Sequence, residues 1–265
     1  MTLSRVYRNS FLAITGLCLM APSLVVEAAA QTNAAATVKN VVLVHGAWVD
    51  GSSWSKLIPL LQAKGLHVVA VQNPLTSLAD DVATTRRAIA LLDGPVVLVG
   101  RSYGGVVITE AGNDPKVVGL VYVAAWAPAE GQSLASLAKL YPPAPLGAEL
   151  RPDAAGFLSV SPKGIAEDFA QDLSDIEKEL LTATQGPTNG VAFGGTITTA
   201  AWKIKPSWFV TASQDRAIPP ELEKAEANAM KATSITLSSS HVPMLSHPKE
   251  VAELIEQAVA KAGRR

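Results

Sequence analysis

The residues that could do chemistry together are a serine flanked by glycines, an imidazole near the C-terminus and a carboxylate lying between them in the chain. Gly100-Arg101-Ser102-Tyr103-Gly104 follows an apolar run at residues 95–99 and precedes a helix-like run at 106–111. A strand that turns sharply into a helix at G-x-S-x-G forms a nucleophile elbow. Its glycines stand where a β-carbon would clash, and the serine oxygen is thrust into a pocket. The same pentapeptide also fits a plain turn in any doubly wound protein, so the rest of the chain must supply the partners.

A serine hydroxyl is a poor nucleophile at neutral pH and needs a neighbouring base, which in turn needs an oriented carboxylate. The chain has four histidines. His45 belongs to a strand-end His-Gly turn, His67 starts a strand, and His247 precedes Pro248 at a helix start. His241, in Ser238-Ser239-Ser240-His241-Val242-Pro243, follows the last predicted strand directly and is the best base. For the acid, the chain order Ser, acid, His points to Asp215 in Ser213-Gln214-Asp215-Arg216-Ala217-Ile218-Pro219. Asp114 comes too early, and Glu130 after the preceding strand is the substitute.

A tetrahedral oxyanion needs N–H donors aimed at it. One is expected from Tyr103, the residue after the nucleophile, where a helix N-terminus favours negative charge. The second is expected from Ala47, in the loop Val44-His45-Gly46-Ala47-Trp48 that follows the first strong strand. Trp48, Tyr103 and Trp126 lie beside strand ends facing the expected pocket and favour an apolar acyl or aryl group, with core packing as the alternative. Trp54, Trp202 and Trp208 read as core.

These residues need a scaffold, and the periodicity supplies one. Strands are predicted at residues 41–45, 67–71, 95–100, 117–124, 207–212 and 234–237, with a Val and Ile density that suits burial on both faces. Helices are predicted at 54–64, 78–92, 103–113, 220–231 and 248–261. The alternation implies an α/β fold with a mostly parallel sheet and helices on both faces. An interval at about 127–205 breaks the rhythm. It holds Pro-rich turns, a helical stretch at 165–182 and a Gly-rich run at 186–195, and is expected to form a small cap over the carboxyl edge of the sheet.

The first 30 residues differ from the rest. Arg5 and Arg8 precede an apolar stretch at 11–26, and Ala28-Ala29-Ala30 offers a cleavage site, the order of a secretory signal peptide. The stretch is short for a membrane span, so a retained anchor is the lesser alternative. Cys18, the single cysteine, follows Leu17 where lipidation would need a small residue. Removing 30 of 265 residues, with Arg5, Arg8 and Glu27 among them, leaves 235 residues, 20 Lys and Arg against 22 Asp and Glu, and no cysteine. That composition suits a periplasmic or secreted domain stabilised by packing alone. No basic block exists to attract nucleic acid. Residues 31–39 read as a flexible leader, and residues 40–265 as one domain.

The motifs Val41-Val42-Leu43-Val44-His45-Gly46-Ala47-Trp48, Gly100-Arg101-Ser102-Tyr103-Gly104-Gly105, Gln214-Asp215-Arg216 and Ser240-His241-Val242-Pro243-Met244 occur in that order. Together they resemble the α/β-hydrolase superfamily, in the branch of plant methyl-ester esterases, hydroxynitrile lyases and many bacterial esterases, over residues 40–262. The resemblance implies a Ser102, Asp215, His241 triad, Ala47 and Tyr103 as oxyanion donors, and no metal or organic cofactor.

The branch also contains lyases. Those resembling this chain carry Thr at the position of Gly46 and Lys after the histidine, whereas this chain has Gly46 and Val242, which favours hydrolysis. Arg101 stands where relatives have His, and its side chain is expected to make an ion pair or hydrogen bond behind the elbow. The expected activity is hydrolysis of small to medium apolar or aryl esters through an acyl-enzyme. The alternatives are a perhydrolase or hydroxynitrile lyase on the same residues, or a ligand-binding receptor of this fold. The expected partner is a small-molecule ester, with no stable membrane anchor, and the sequence leaves the oligomeric state open.

Overall fold

Strands that are apolar on both faces can satisfy their backbone groups only by pairing with one another in the interior. The computed structural model describes residues 37–263, and in it they do so. β1 (Asn40–Val44), β2 (His67–Ala70), β3 (Val96–Ser102) and β4 (Val117–Ala125) come first. An insertion then supplies three short strands, β5 (Leu150–Pro152), β6 (Phe157–Val160) and β7 (Thr188–Asn189), before β8 (Ser207–Ala212) and β9 (Thr233–Leu237). The main sheet runs β2-β1-β3-β4-β8-β9 with every neighbouring pair parallel. Every residue of β1, β3 and β8 is buried, while the edge strand β9 exposes Thr233, Ser234 and Thr236.

The helices are α1 (Ile58–Ala63), α2 (Leu78–Ala90), α3 (Tyr103–Ala111), α4 (Leu134–Ala138), α5 (Pro162–Gly164), α6 (Asp175–Thr184), α7 (Val191–Gly194), α8 (Pro220–Ala229), α9 (Pro243–Ser246) and α10 (Pro248–Ala262). The chain steps from β1 outward to β2, then crosses back and proceeds the other way through β3, β4, β8 and β9. Right-handed crossovers therefore put α1 on one face and α2, α3 and α8 on the other. The packing agrees, since α2 lies on α3 and α1 on α10. This is the α/β-hydrolase architecture expected from the sequence. The strand order reverses between β1 and β3, and Gly46 and Ser102 sit at the carboxyl ends of those two strands, where such sheets bind ligands.

Three local details differ from expectation. The helix predicted at 54–64 is a 3-10 turn at Gly51–Trp54 followed by α1, because Pro59 lacks an N–H and is accommodated only in a first turn. The helix predicted at 165–182 is divided into a π-helical turn at Ile165–Phe169 and α6, which restarts with a capping box between Ser174 and Glu177. Between them Ala170 leaves helical geometry, at φ −140° and ψ 37°. The insertion also contains an antiparallel sheet, β5-β6-β7. At the start of the described chain Val38 is already buried, and the Lys39 carbonyl accepts a hydrogen bond from the His67 N–H at 2.8 Å. The expected signal peptide at 1–30 lies outside the described residues. Among those described, no helix is long and apolar enough to cross a membrane.

Candidate active site

The elbow is tight because three glycines let backbones meet. A β-carbon at Gly100 would come within 2.5 Å of the Gly104 carbonyl oxygen, one at Gly104 would strike the main chain of Val44 and His45, and one at Gly105 the Trp126 carbonyl. Between them Ser102 adopts φ 54° and ψ −125°, a conformation costing a side-chain-bearing residue about 1–3 kcal/mol. The surrounding sheet enforces it: the Trp126 N–H donates to the Ser102 carbonyl at 3.2 Å, and α3 begins at the next residue.

His241 arrives on the loop after β9 and Asp215 on the loop after β8. The Ser102 Oγ lies 2.8 Å from His241 Nε2, and His241 Nδ1 is hydrogen-bonded to Asp215 Oδ2. The N–H groups of Ala217 and Ile218 donate to Asp215 Oδ1 at 2.7 and 2.8 Å, which fixes the carboxylate. With Nδ1–H spent on Asp215, the Nε2 lone pair faces the serine. Burial pushes the His241 pKa down, the Arg101 charge pushes it further, and Asp215 opposes both, so the imidazole is neutral and basic at pH 7. Burial works to raise Asp215, yet the charge and hydrogen bond of His241 hold its carboxyl below the usual range.

Behind Asp215 stands a group that the sequence reading missed. Glu223 of α8 is fully buried, and its Oε2 accepts the Ala212 N–H at 2.7 Å. Burial and the neighbouring Asp215 charge push its pKa well above the ordinary value, so Glu223 holds a proton beside the Asp215 carboxylate. In sequence, the glutamates of α8 resemble a solvated helix face. Only the tertiary packing shows that Glu223 and Glu226 point inward.

Arg101 is also fully buried, and of the ion pair or hydrogen bond expected behind the elbow it makes the hydrogen bond, to a main-chain carbonyl. Its Nε and Nη2 donate to the His241 carbonyl at 3.1 and 2.8 Å, and its guanidinium lies 4.5 Å from the centre of the Phe169 ring. Burial pushes its pKa down to about 9, while the charge of Asp215 opposes that shift. The side chain runs to the base-bearing loop because that loop brings an unpaired carbonyl behind the elbow, and Phe169 covers the other side.

The two residues expected to supply oxyanion donors, Ala47 and Tyr103, line the same cavity as Ser102. A β-carbon at Gly46 would lie 2.7 Å from both the Arg101 carbonyl oxygen and Ser102 Cβ, and 3.2 Å from the Tyr103 nitrogen, so the β1 loop presses on the elbow. Among the described residues, neither the Ala47 nor the Tyr103 N–H donates to another protein group. His45 explains the aim of the first. Its Nδ1–H donates to the Gly46 carbonyl at 2.8 Å and its Nε2 accepts the Asn73 N–H at 2.9 Å. Because a trans peptide points its C=O and N–H in opposite directions, fixing the Gly46 carbonyl aims the Ala47 amide the other way. Tyr103 is anchored by its side chain, whose hydroxyl donates to the buried Asp81 at 2.7 Å. Burial pushes Asp81 up to about 6.

Ser102 and His241 open into a cavity of about 220 Å³. Ala47, Trp48, Tyr103, Trp126, Phe193 and Leu146 are among its walls, and apart from His241 no described residue lining it is ionisable in the physiological range. Trp48 both lines the cavity and ties down the insertion, its Nε1 donating to the Leu158 carbonyl at 3.0 Å. Trp54 and Trp208 are buried as core, whereas Trp202 is half-buried, with its Nε1 on the Pro128 carbonyl. The other candidates lie elsewhere. Glu130 pairs with Lys203 and accepts the Ala200 N–H, Asp114 accepts the Lys116 N–H, and His67 and His247 bond to Asn40 and Ser238.

A parallel sheet with a strained serine at its switch point, a buried imidazole and carboxylate on the next loops and an insertion over that edge defines the α/β-hydrolase class. The chain belongs to the alpha/beta hydrolase family, whose model matches residues 41–254. Among curated relatives, a carbendazim hydrolyzing esterase of Nocardioides sp. (strain SG-4G) is 36% identical over 121 residues, 39% of this chain and 49% of that protein. A pyrethroid hydrolase from Sphingobium faniae JZ-2 superposes with a TM-score of 0.73 at 22% identity, covering 84% of this chain and 98% of that one. Polyneuridine aldehyde esterase superposes with a TM-score of 0.71 at 22% identity, covering 83% and 99%. The resemblance expected from the sequence motifs is thereby borne out.

Proposed function

We propose that the protein is a serine carboxylic-ester hydrolase acting on small to medium apolar or aryl esters. The observation that carries this reading is the hydrogen-bonded chain Ser102, His241, Asp215 beside two unengaged amides. In the first half-reaction Ser102 Oγ attacks the ester carbonyl as His241 Nε2 takes its proton. The tetrahedral oxyanion is held by the Ala47 and Tyr103 N–H groups. As it collapses, His241 returns the proton to the departing alkoxide, and the alcohol leaves. Water enters, gives its proton to His241 and attacks the acyl-enzyme; a second collapse restores Ser102 and releases the acid.

The cavity supports an uncharged substrate, since its walls are carbon-rich and provide no ion-pair partner. Aromatic rings of Trp48, Tyr103 and Phe193 meet edge to face there, a setting suited to an aryl or branched alkyl group. The esterase and hydrolase names of the relatives point the same way. Val242, fully buried after His241, supports hydrolysis over cyanohydrin cleavage, because no cation stands there to hold a departing cyanide.

Hydrolysis of short p-nitrophenyl esters by wild type and Ser102→Ala tests the proposal. Loss of the nucleophile is expected to cost ~10⁴-fold or more in kcat, and equal rates would end it. Export is part of the same reading, with cleavage after Ala30. N-terminal sequencing of periplasmic or secreted protein should begin at Gln31, and intact chains confined to the cytoplasm would count against it.

A further inference from the structure

One stretch of the insertion, residues 168–172, touches all three loops that carry the reacting groups. At the elbow, Phe169 covers the Arg101 guanidinium at 4.5 Å. On the loop after β9, the same ring meets the His241 imidazole edge to face, with centroids 5.3 Å apart, and Asp172 Oδ2 accepts the Ser240 N–H at 2.9 Å. On the loop after β8, Asp168 Oδ1 accepts from Arg216 Nε at 2.6 Å, and Gln171 Nε2 donates to the Gln214 carbonyl at 2.6 Å. Gln214 and Arg216 flank Asp215, and Ser240 precedes His241. The contacts thus fall on the immediate neighbours of each reacting residue.

The local backbone is shaped for this. The π-helical turn Ile165–Phe169 and the non-helical Ala170 interrupt what would otherwise be a continuous helix into α6. A π-turn widens the helix by one residue, is rare and occurs frequently at functional sites. Here it turns Asp168 and Phe169 inward, and both are buried, while the following residues run across the two loop tips.

We propose that residues 168–172 are a positioning segment that holds Ser102, His241 and Asp215 in mutual register, with Phe169 and Asp172 as its principal side chains. The inference rests on the serine-hydrolase reading above. It assigns the insertion a role in the chemical step and not only in enclosing substrate. Phe169 fills the space between a cation and the imidazole, so Arg101 keeps both donors on the His241 carbonyl. Asp172 fixes the Ser239–Ser240 peptide, one before the peptide that leads into His241. Neither side chain lines the cavity, so their loss should affect kcat and leave KM nearly unchanged.

The test uses the full protein, p-nitrophenyl butyrate and the variants Phe169→Leu, Asp172→Ala and Asp172→Asn. Asp172 is exposed, so its variants fold whether or not the buried Phe169→Leu does. Asp172→Ala should lower kcat about tenfold with KM within about twofold, the range expected when a reacting group is held less firmly. Asp172→Asn, which keeps an oxygen for the Ser240 N–H, should recover most of that loss.

Proton NMR gives a readout free of turnover. The downfield resonance of the His241 Nδ1 proton, identified by its absence in His241→Gln, should weaken or shift in Asp172→Ala and Phe169→Leu and return in Asp172→Asn. Unchanged kcat and resonance in Asp172→Ala, or Asp172→Asn as impaired as alanine, would overturn the inference. If wild type hydrolysed no ester, the functional proposal would fail while the resonance still tested the positioning.

Discussion

Gly46→Ala tests how finely the β1 loop aims its amide. The added methyl group would sit 2.7 Å from the Arg101 carbonyl oxygen and from Ser102 Cβ, where ordinary contact begins near 3.4 Å. Each neighbour would have to recede by ~0.7 Å, and both belong to the strained elbow, which cannot yield without moving the serine. The loop itself must therefore shift, carrying the Ala47 N–H away from the oxyanion. Losing one such donor costs about 10²–10³ in kcat, or about 3–4 kcal/mol of transition-state stabilisation, whereas overpacking costs about 1–3 kcal/mol of stability. Steady-state kinetics on p-nitrophenyl butyrate should show the fall in kcat with KM changed by no more than about threefold. A calorimetric scan should separately report the stability loss. Gly194, where a β-carbon would meet nothing within 4 Å, provides the control, and Gly194→Ala should match wild type. A Gly46→Ala enzyme with kcat within about threefold of wild type would refute the assignment of this loop as the second oxyanion donor.

Two further outcomes follow from the buried ionisable groups. Burial raises Glu226 from 4.5 to about 8. Its folded pKa exceeds the unfolded one, so the folded protein keeps a proton that the unfolded chain releases. Stability from this group is fully present below about pH 4.5 and declines as pH rises through 8. Glu226→Gln, which retains an oxygen for the Ala127 N–H, should raise Tm by several degrees at pH 8 and leave it unchanged near pH 4.5. For catalysis, His241 is held below 6.5 first by burial and then by the Arg101 charge, with Asp215 opposing. The acid limb of kcat/KM should therefore have its midpoint below 6.5, and Arg101→Met should move that midpoint upward; a midpoint that stayed or fell would show that the guanidinium does not depress the imidazole.

The sequence made the sheet legible because β1, β3 and β8 are buried throughout, so their Val and Ile runs stand out against amphipathic helices. The elbow and the loops after β8 and β9 were legible because strand ends fix where loops must go. The insertion was much less so. β5 has three residues ending in Pro152 and β7 has two, too short for any alternation to register, and each forms only by pairing with β6. For Arg101 the sequence leaves an ion pair and a hydrogen bond open, because charge alone does not say which groups the fold brings behind the elbow. Its actual partners, a carbonyl and an aromatic face, depend on two segments 140 and 68 residues further along the chain. Glu223 and Glu226 were invisible for the same reason, since helical spacing alone does not say which face a carboxyl occupies.

Trp48 has a consequence for how such enzymes can be re-engineered. Its backbone is left-handed, at φ 60°, which costs a bulky residue about 1–2 kcal/mol, and the insertion holds it there through the Leu158 carbonyl and the Thr188 hydroxyl. Ala47 is the adjacent residue. Exchanging the lid for that of another hydrolase would release the indole, and the relaxing loop would carry the Ala47 amide out of aim. The lid and the catalytic floor are therefore one inherited unit, and a chimera must bring its own acceptor for the Trp48 ring nitrogen to keep its rate.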